Sequence, residues 1–528
     1  MLRDRELGRR TFLSITSGGF AALLVACGDD SIASGDTESG TSSDASSDTG
    51  VGPTGADTTS TDPTISGSGV TTDPDGTSST TTGSEDESSS SDTDVPPAEC
   101  DDGEEIAWDP ESTGLDEAIF PLALMAGEMK PESVMFTIYV PDGGAKTFRL
   151  WRQGPREGMV ILVHEEVVEP NADGFVKFTV EGLCPGTWYE YGYFVGEDGS
   201  FTARSRIGNV RTAIAEDAVE PLVLALASCC GSSLDWPALG RTNTEYYDMF
   251  LHLGDMAYND GMETLDEFRA NWRDWLSTPD YRTAFAGAGM YATWDDHEID
   301  DNSNFDRETM DPGELLKRQN AMDAYFELMP IDAEGPDYRL WRSFRWGLTA
   351  EIIVLDCRYE RRPSQDIYIS PEQMAFLQDR LLNSPCMFKI VMNSVPITNM
   401  PLQWDVAAGD RWDGYQDARN QVRDFINDND IDNVWFVSGD FHCTFVSRLE
   451  PQGDDNFSNV REIACASGNE NPIPDFLLGF NPPQFDYGLP ETRGALLTID
   501  PDNNAVSVRF IHPDTGEDDY FATMVYGE

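Results

Sequence analysis

The sequence predicts an all-β antiparallel sandwich followed by a layered α/β domain, both behind a long segment that cannot build a core. Three observations lead there. Between residues 133 and 195 lie short runs of alternating polarity, separated by turn signals such as Pro141-Asp142-Gly143-Gly144. After Pro221 the pattern changes to continuous apolar runs that alternate with stretches of helical spacing, as expected for strands buried on both faces. Residues 28–99 are almost wholly Ser, Thr, Asp, Gly and Pro with some Glu, and contain no Lys or Arg.

A chain of 528 residues is too long for one ordinary domain. Its formal net charge of -60 excludes nucleic-acid binding through a basic face. The same acidity suits divalent cations or a high-salt exterior, or serves solubility alone. The nine cysteines form no C-x-x-C pair, so a zinc finger or thioredoxin-type motif is unsupported.

Residues 1–27 read as an export signal. Arg9-Arg10-Thr11-Phe12-Leu13 resembles a twin-arginine (Tat) motif, and the apolar stretch from Ile15 to Ala26 is too short to span a bilayer. Leu24-Val25-Ala26-Cys27 resembles a lipoprotein cleavage box, which makes Cys27 the candidate lipidation site. The alternative is an ordinary cleaved signal with a chance cysteine. Acylation at Cys27 would give a membrane lipid anchor and a periplasmic or cell-surface location. Residues 28–100 then read as a disordered acidic tether, because sparse apolar residues cannot offset the entropy of ordering.

The sandwich is expected over residues 101–215, with strands at 133–140, 146–152, 159–165, 174–183 and 189–195. Leu183-Cys184-Pro185-Gly186-Thr187-Trp188-Tyr189 resembles the L-x-P-x-T-x-Y run of fibronectin type III-like domains, so the unit is expected to be fibronectin III/Ig-like. That resemblance implies a tyrosine corner closed by the Tyr189 hydroxyl. Such a domain is either a wall beside an active site or a spacer. His164 within it reads as a satisfied or exposed histidine.

The α/β domain is expected over residues 216–528. Buried strands are expected at 222–230, 289–295, 350–356, 388–393 and 433–440, with helices over 264–276, 314–328, 371–382 and 418–427. Strand-like patterns return after residue 491 and complete the sheet edge.

Six apolar runs end in polar residues: Ser228-Cys229-Cys230, Gly254-Asp255-Met256-Ala257-Tyr258, Asp295-Asp296-His297-Glu298, Asp356-Cys357-Arg358, Asn393-Ser394 and Gly439-Asp440-Phe441-His442. Ligands in open α/β sheets bind at the carboxyl ends of strands. One such loop is an ordinary turn or helix cap; six within about 210 residues point to a site. Two cations bridged by a carboxylate can clamp a phosphate, acidify a water and neutralise the leaving oxygen. With five histidines in the chain, a nitrogen-rich site is ruled out. Carboxylates and an asparagine favour Ca²⁺, Mg²⁺ or Mn²⁺, whereas a thiolate or phenolate suits a ferric or softer centre.

ASCC, HLGDMAY, TWDDHEIDDN, IIVLDCRYER and FVSGDFH together resemble the alkaline phosphatase D (PhoD) family of the calcineurin-like metallophosphoesterase superfamily, from about residue 105 to the C-terminus. The resemblance implies a two-sheet α/β metallophosphoesterase sandwich with a dimetal site on its loops. It implies Cys229, Asp255, Tyr258, Asp296, Asp440 and His442 as metal ligands. Asp255 would bridge, Tyr258 would bind iron, and His297 would be the general acid or phosphate-contacting histidine. The implied cofactors are iron (Fe³⁺) and calcium, with Mn, Mg or Zn as substitutes. Asn393 stands where the superfamily often has a metal-binding histidine. Arg358 reads either as a bidentate phosphate ligand or as a structural ion pair. Asn302 and Asn304 line the pocket or sit in turns.

A Cys229–Cys230 disulfide would abolish the thiolate role. Cys357 with Cys386, and Cys443 with Cys465, are open as pairs. His252 alternates into the core and reads as structural, and His512 as surface.

The implied activity is hydrolysis of phosphate monoesters or diesters by attack of a metal-activated water or hydroxide. The alternatives are a phospholipase-like phosphodiesterase on the same site and a surface binding protein on a degenerate phosphatase scaffold. The sequence leaves the oligomeric state open.

Overall fold

A computed structural model describes residues 103–526 apart from 232–233, 301–307, 309, 333–337, 401–407, 452, 454–458 and 469–481. The expected signal, Cys27, the tether, Asn302 and Asn304 lie outside the described residues.

The first strands are β1 (Glu104–Ala107), β2 (Met125–Gly127), β3 (Ser133–Tyr139), β4 (Lys146–Gln153), β5 (Met159–Val168), β6 (Phe175–Glu181), β7 (Trp188–Glu197), β8 (Ser200–Arg204) and β9 (Gly208–Arg211). Six of them form one sheet in the order β1-β5-β4-β7-β8, with β9 on β7. Every pairing in that sheet is antiparallel. Phe136 of β3 and Phe148 of β4 meet across the sandwich with ring centroids 4.9 Å apart. The Tyr189 hydroxyl accepts the Cys184 N–H at 2.8 Å, closing the expected corner.

Next come β10 (Leu222–Ala227), α1 (Pro237–Thr242), β11 (Met249–His252), α2 (Leu265–Leu276), α3 (Pro279–Gly287), β12 (Met290–Ala292) and α4 (Pro312–Leu328). Local chemistry explains the helix starts. Thr264 and Glu267 form a capping box ahead of α2, and Asp311 caps α4 with Pro312 in its first turn. The chain continues through β13 (Arg342–Trp346), β14 (Ala350–Val354), α5 (Pro371–Asn383), β15 (Phe388–Met392), α6 (Gln416–Asp428) and β16 (Val434–Ser438). It ends with β17 (Thr444–Arg448), β18 (Arg461–Ala464), β19 (Phe485–Leu489), β20 (Gly494–Asp500), β21 (Ala505–Ile511) and β22 (Asp518–Val525).

Two further sheets result. A nine-stranded sheet runs β22-β21-β20-β10-β11-β12-β2-β3-β6, and a seven-stranded sheet runs β13-β14-β15-β16-β18-β17-β19. Their inner faces share one core, in which Leu224, Leu226 and Val508 meet Ile352, Ile390, Trp435 and Val437. Helices α1 to α4 cover the outer face of the first sheet, and α5 and α6 that of the second. This explains the continuous apolar runs, since strands such as β14, β15 and β16 are buried on both faces.

The boundary expected near residue 215 does not interrupt the sheet. β2 pairs in parallel with β12, so β2, β3 and β6 extend the nine-stranded sheet instead of staying in a separate preceding domain. Gly127 makes this junction possible, because a Cβ there would lie 2.7 Å from Pro330. A three-residue strand carries too little pattern to be seen in sequence.

β10, β11 and β12 run parallel, as do β14, β15, β16 and β18. All six strand-end loops therefore leave carboxyl ends. Contacts between the sheets bring those ends together. The Thr293 hydroxyl donates to the Leu355 carbonyl at 2.7 Å, and the Ser228 hydroxyl to the Cys465 carbonyl at 2.6 Å. Trp294 Nε1 donates to Asp356 Oδ1 at 2.9 Å.

Candidate active site

Four candidate ligands have left-handed backbones: Cys229 (φ 48), Asp255 (φ 54), Asp440 (φ 59) and His442 (φ 52). Non-glycine residues adopt this region at a cost of order 1–3 kcal/mol, and such positions cluster at functional sites. Each turns a strand end sharply so that its side chain faces the other loops. Close packing holds the turns. Gly254 has φ 106, and a Cβ there would lie 2.5 Å from Asp295 Cβ. A Cβ on Gly439 would lie 2.6 Å from Ser228 Cβ.

Three groups bring donor atoms within 4.8 Å of one another: Cys229, Asp255 and His442; Asp255, Asp296 and His297; and Asp295, Asp296 and Asp440. Asp255 is common to the first two and Asp296 to the last two. The Tyr258 hydroxyl lies 3.4 Å from both Asp255 Oδ2 and His442 Nε2. Burial raises the pKa of Asp255, Asp295 and Asp440, and of the Cys229 thiol and Tyr258 phenol. Gathering so many acidic donors away from water is unfavourable without compensating positive charge.

His297 stacks on Tyr258 with centroids 4.0 Å apart, and its Nδ1 lies 2.7 Å from Asp260 Oδ1. Burial opposes a charge on this imidazole, but Asp296, Asp255 and Asp260 outweigh it and hold its pKa well above the usual histidine range.

Glu298 organises two loops. Its carboxylate accepts the N–H groups of Asp255 at 3.0 Å, Met256 at 2.6 Å and Asp295 at 2.8 Å. Burial, against these hydrogen bonds, pushes its carboxyl up to about 7. The sequence pointed to the loop bearing Glu298 and the segment bearing Asp260 but assigned neither residue a part. The Glu298 bonds to Asp255 and Met256 span 43 and 42 positions and the Asp260 contact with His297 spans 37, so they leave no local signature.

Arg358 is fully buried, and its guanidinium meets four carboxylates. Nε donates to Asp295 Oδ1, Nη1 to Asp410 Oδ2 at 2.5 Å, and Nη2 to Asp296 Oδ1 at 3.1 Å and Asp440 Oδ1 at 2.5 Å. Of the two sequence-based alternatives, this geometry matches the ion pair. Asp410 also pairs with Arg361 at 2.7 Å, and the two guanidiniums outweigh burial to hold its carboxyl below the usual range.

Asn393 is buried, and its Oδ1 accepts from Cys357 Sγ at 2.9 Å and Trp412 Nε1 at 3.0 Å. Asp356 lies outside the donor groups. It accepts the N–H groups of Arg358 at 3.1 Å and Tyr359 at 2.9 Å as a turn cap.

Cys229 and Cys230 are free thiols, so no vicinal disulfide removes the Cys229 donor. The open pairings of Cys357 with Cys386 and Cys443 with Cys465 are not made: all four are free and buried. Cys184 is disulfide-bonded. His252 is structural, as expected, with Nε2 3.1 Å from the Tyr281 hydroxyl, which itself donates to the Met256 carbonyl at 2.7 Å. His512 is partly exposed, and its Nδ1 accepts the Asp514 N–H at 3.2 Å. His164 is partly exposed beside Glu166.

Residues 224–478, which carry all six loops, match the model of the PhoD-like phosphatase family. The chain carries a PhoD-like phosphatase domain and is a phosphoric ester hydrolase. It is 25% identical over 403 residues to alkaline phosphatase D of Bacillus subtilis (strain 168), covering 65% of this chain and 67% of that protein. Its fold is similar to the solved structure of PhoD, with a TM-score of 0.65 at 21% identity over 77% of this chain and 89% of that one. It is also similar in fold to the purple acid phosphatase PPD1 of yellow lupin (Lupinus luteus) seeds. There the TM-score is 0.55 at 12% identity over 77% of this chain and 75% of that one. Its three donor groups are where ions could be held.

Proposed function

We propose that the chain is an exported, metal-dependent hydrolase of phosphate mono- or diesters working at the loops around Asp255. One observation carries this reading: three donor groups with shared members, drawn from the carboxyl ends of parallel strands in two different sheets.

The donor set suits cations. Cys229, Asp255, Tyr258, Asp296, Asp440 and His442 would hold them, with Asn393 as a further candidate. The thiol, phenol and imidazole side suits iron, and the carboxylate side suits calcium, with Mn, Mg or Zn as substitutes. Ions bound there supply Lewis-acid charge that acidifies water and neutralises phosphate oxygens.

The chain's own groups do the rest. Asp260 holds His297 at Nδ1, leaving Nε2 to pass a proton to the leaving oxygen or to hydrogen-bond the phosphate. Arg358 acts as a positioning residue that fixes Asp296 and Asp440. Glu298 keeps the Asp255 and Asp295 turns in register. The pairing of β2 with β12 supports a wall role for the fibronectin III-like part over a spacer role. Export through the twin-arginine route and anchoring at Cys27 rest on the sequence motifs.

A panel of phosphate monoesters and diesters, assayed before and after chelation and with metal add-back, tests the reading. Hydrolysis that chelation abolishes and metals restore supports it. Binding without turnover across the panel would favour a degenerate scaffold.

A further inference from the structure

Helix α2 follows the loop that bears Tyr258 and folds back onto it. Asn271 and Trp275 lie four residues apart on this helix, and so on one face. Asn271 Nδ2 donates twice into the loop, to the Tyr258 carbonyl at 2.7 Å and to Asn259 Oδ1 at 2.8 Å, which uses both of its hydrogens. Trp275 stacks against the Tyr258 ring, with centroids 5.6 Å apart and 24° between the planes. We infer that Asn271 and Trp275 are positioning residues that align Tyr258 with His297 for hydrolysis. The inference rests on the hydrolytic site proposed above and adds the element that aligns it.

Two routes run from α2 to the imidazole. One passes through rings: Trp275 meets Tyr258, and Tyr258 meets His297 at 4.0 Å with 28° between the planes. The other passes through hydrogen bonds. Asn271 orients the Asn259 amide, whose Nδ2 donates to the Glu298 carbonyl at 2.9 Å, and the Asn259 N–H donates to the His297 carbonyl at 2.9 Å. The rings set the plane of the imidazole, and the amide sets its backbone. Asn259 is fully buried, so water does not replace a partner it loses.

Trp275 is itself held. Trp236 stacks on it with centroids 5.5 Å apart and 6° between the planes, and Trp236 in turn packs on Tyr281 at 4.5 Å. The Tyr281 hydroxyl donates to the Met256 carbonyl at 2.7 Å, so the aromatic row returns to the same loop. Filling a core needs only apolar volume. Here α2 adds near-parallel ring faces and a fully used amide, both directed at residues 258 and 259. A displacement of about 1 Å in a catalytic site can cost about 10²-fold in rate, which is what such a clamp prevents.

The test compares Trp275→Leu, Trp275→Phe and Asn271→Ala with the wild type in the full, metal-loaded chain. Trp275→Leu keeps apolar volume and removes the ring face. It is expected to lower kcat for p-nitrophenyl phosphate about tenfold with KM little changed. It should also speed the release of bound metal to EDTA, because Tyr258 is a proposed donor. Trp275→Phe restores a ring and should recover most of both losses. Asn271→Ala, at a half-buried position, breaks the hydrogen-bond route and should lower kcat by a similar factor. Urea midpoints report folding, and if Trp275→Leu does not fold, Asn271→Ala decides. Wild-type kcat and metal release in Trp275→Leu, or wild-type kcat in Asn271→Ala, overturns the inference. So does a loss that Trp275→Phe fails to recover, or one carried by KM alone. A wild type that hydrolyses no phosphate ester sinks the site and this inference together, whereas an active wild type beside unimpaired variants sinks the inference only.

Discussion

Asp260 Oδ1 lies 2.7 Å from His297 Nδ1, and the same imidazole stacks 4.0 Å from the Tyr258 ring. A hydrogen bond on one edge and a ring on one face leave His297 a single orientation. Against burial, Asp296, Asp255 and Asp260 raise its pKa, which favours the protonated form that a proton donor to a leaving oxygen requires. His297→Gln should therefore lower kcat by about 10²–10⁴-fold. Asp260→Asn should lower it less and move the alkaline limb of the pH profile downward, because one of the carboxylates that raise the imidazole is gone. An unchanged profile in Asp260→Asn would show that the pair only packs.

Glu298 is the acceptor for three buried N–H groups. Glu298→Ala leaves all three without a partner at about 1–3 kcal/mol each, enough to unfold many domains. Glu298→Gln keeps an acceptor oxygen and should cost substantially less. Urea unfolding of the two variants measures the difference, and equal stabilities would remove Glu298 as the tie between these loops.

Arg358→Lys separates a positioning role from direct binding of substrate phosphate. As a positioning residue, Arg358→Lys cannot reach Asp295, Asp296, Asp410 and Asp440 together, so bound metal and kcat should fall with KM little changed. A substrate-phosphate ligand would instead raise KM at constant metal content. Removing a buried partner of this kind also costs about 3–5 kcal/mol in stability.

His252 links stability to pH. Burial lowers its pKa to about 3, against about 6.5 in an unfolded chain. The unfolded state therefore binds the extra proton between those values. Stability from this residue is fully present above about pH 6.5 and declines as pH falls, by about 1.4 kcal/mol per unit. The wild-type advantage over His252→Gln should shrink by about 2–3 kcal/mol between pH 6.5 and 4.5. A pH-independent difference would contradict the assignment.

Much of this was legible in the sequence. The continuous runs at β10, β14, β15 and β16 marked a buried sheet, and the residues after them marked the candidate site. Asp255, Asp296, His297, Asp440 and His442 stood out because strand ends concentrated their types in short loops. Partners that come from elsewhere in the chain did not. Asp410 reaches Arg358 across 52 positions, and Asp260 reaches His297 across 37. Such pairs depend on tertiary packing and carry no periodicity. The insertion of β2 beside β12 was hidden for the same reason, since one short parallel pairing decides it.

The central claim is that ions are held by donors sharing Asp255. The direct measurement is elemental analysis of the purified protein beside its Asp255→Asn variant. Iron and calcium bound to the wild type, with metal and phosphate-ester hydrolysis both lost in the variant, is the predicted result. Zinc as the sole metal would contradict the cofactor assignment, and a fully active Asp255→Asn variant would contradict the site itself.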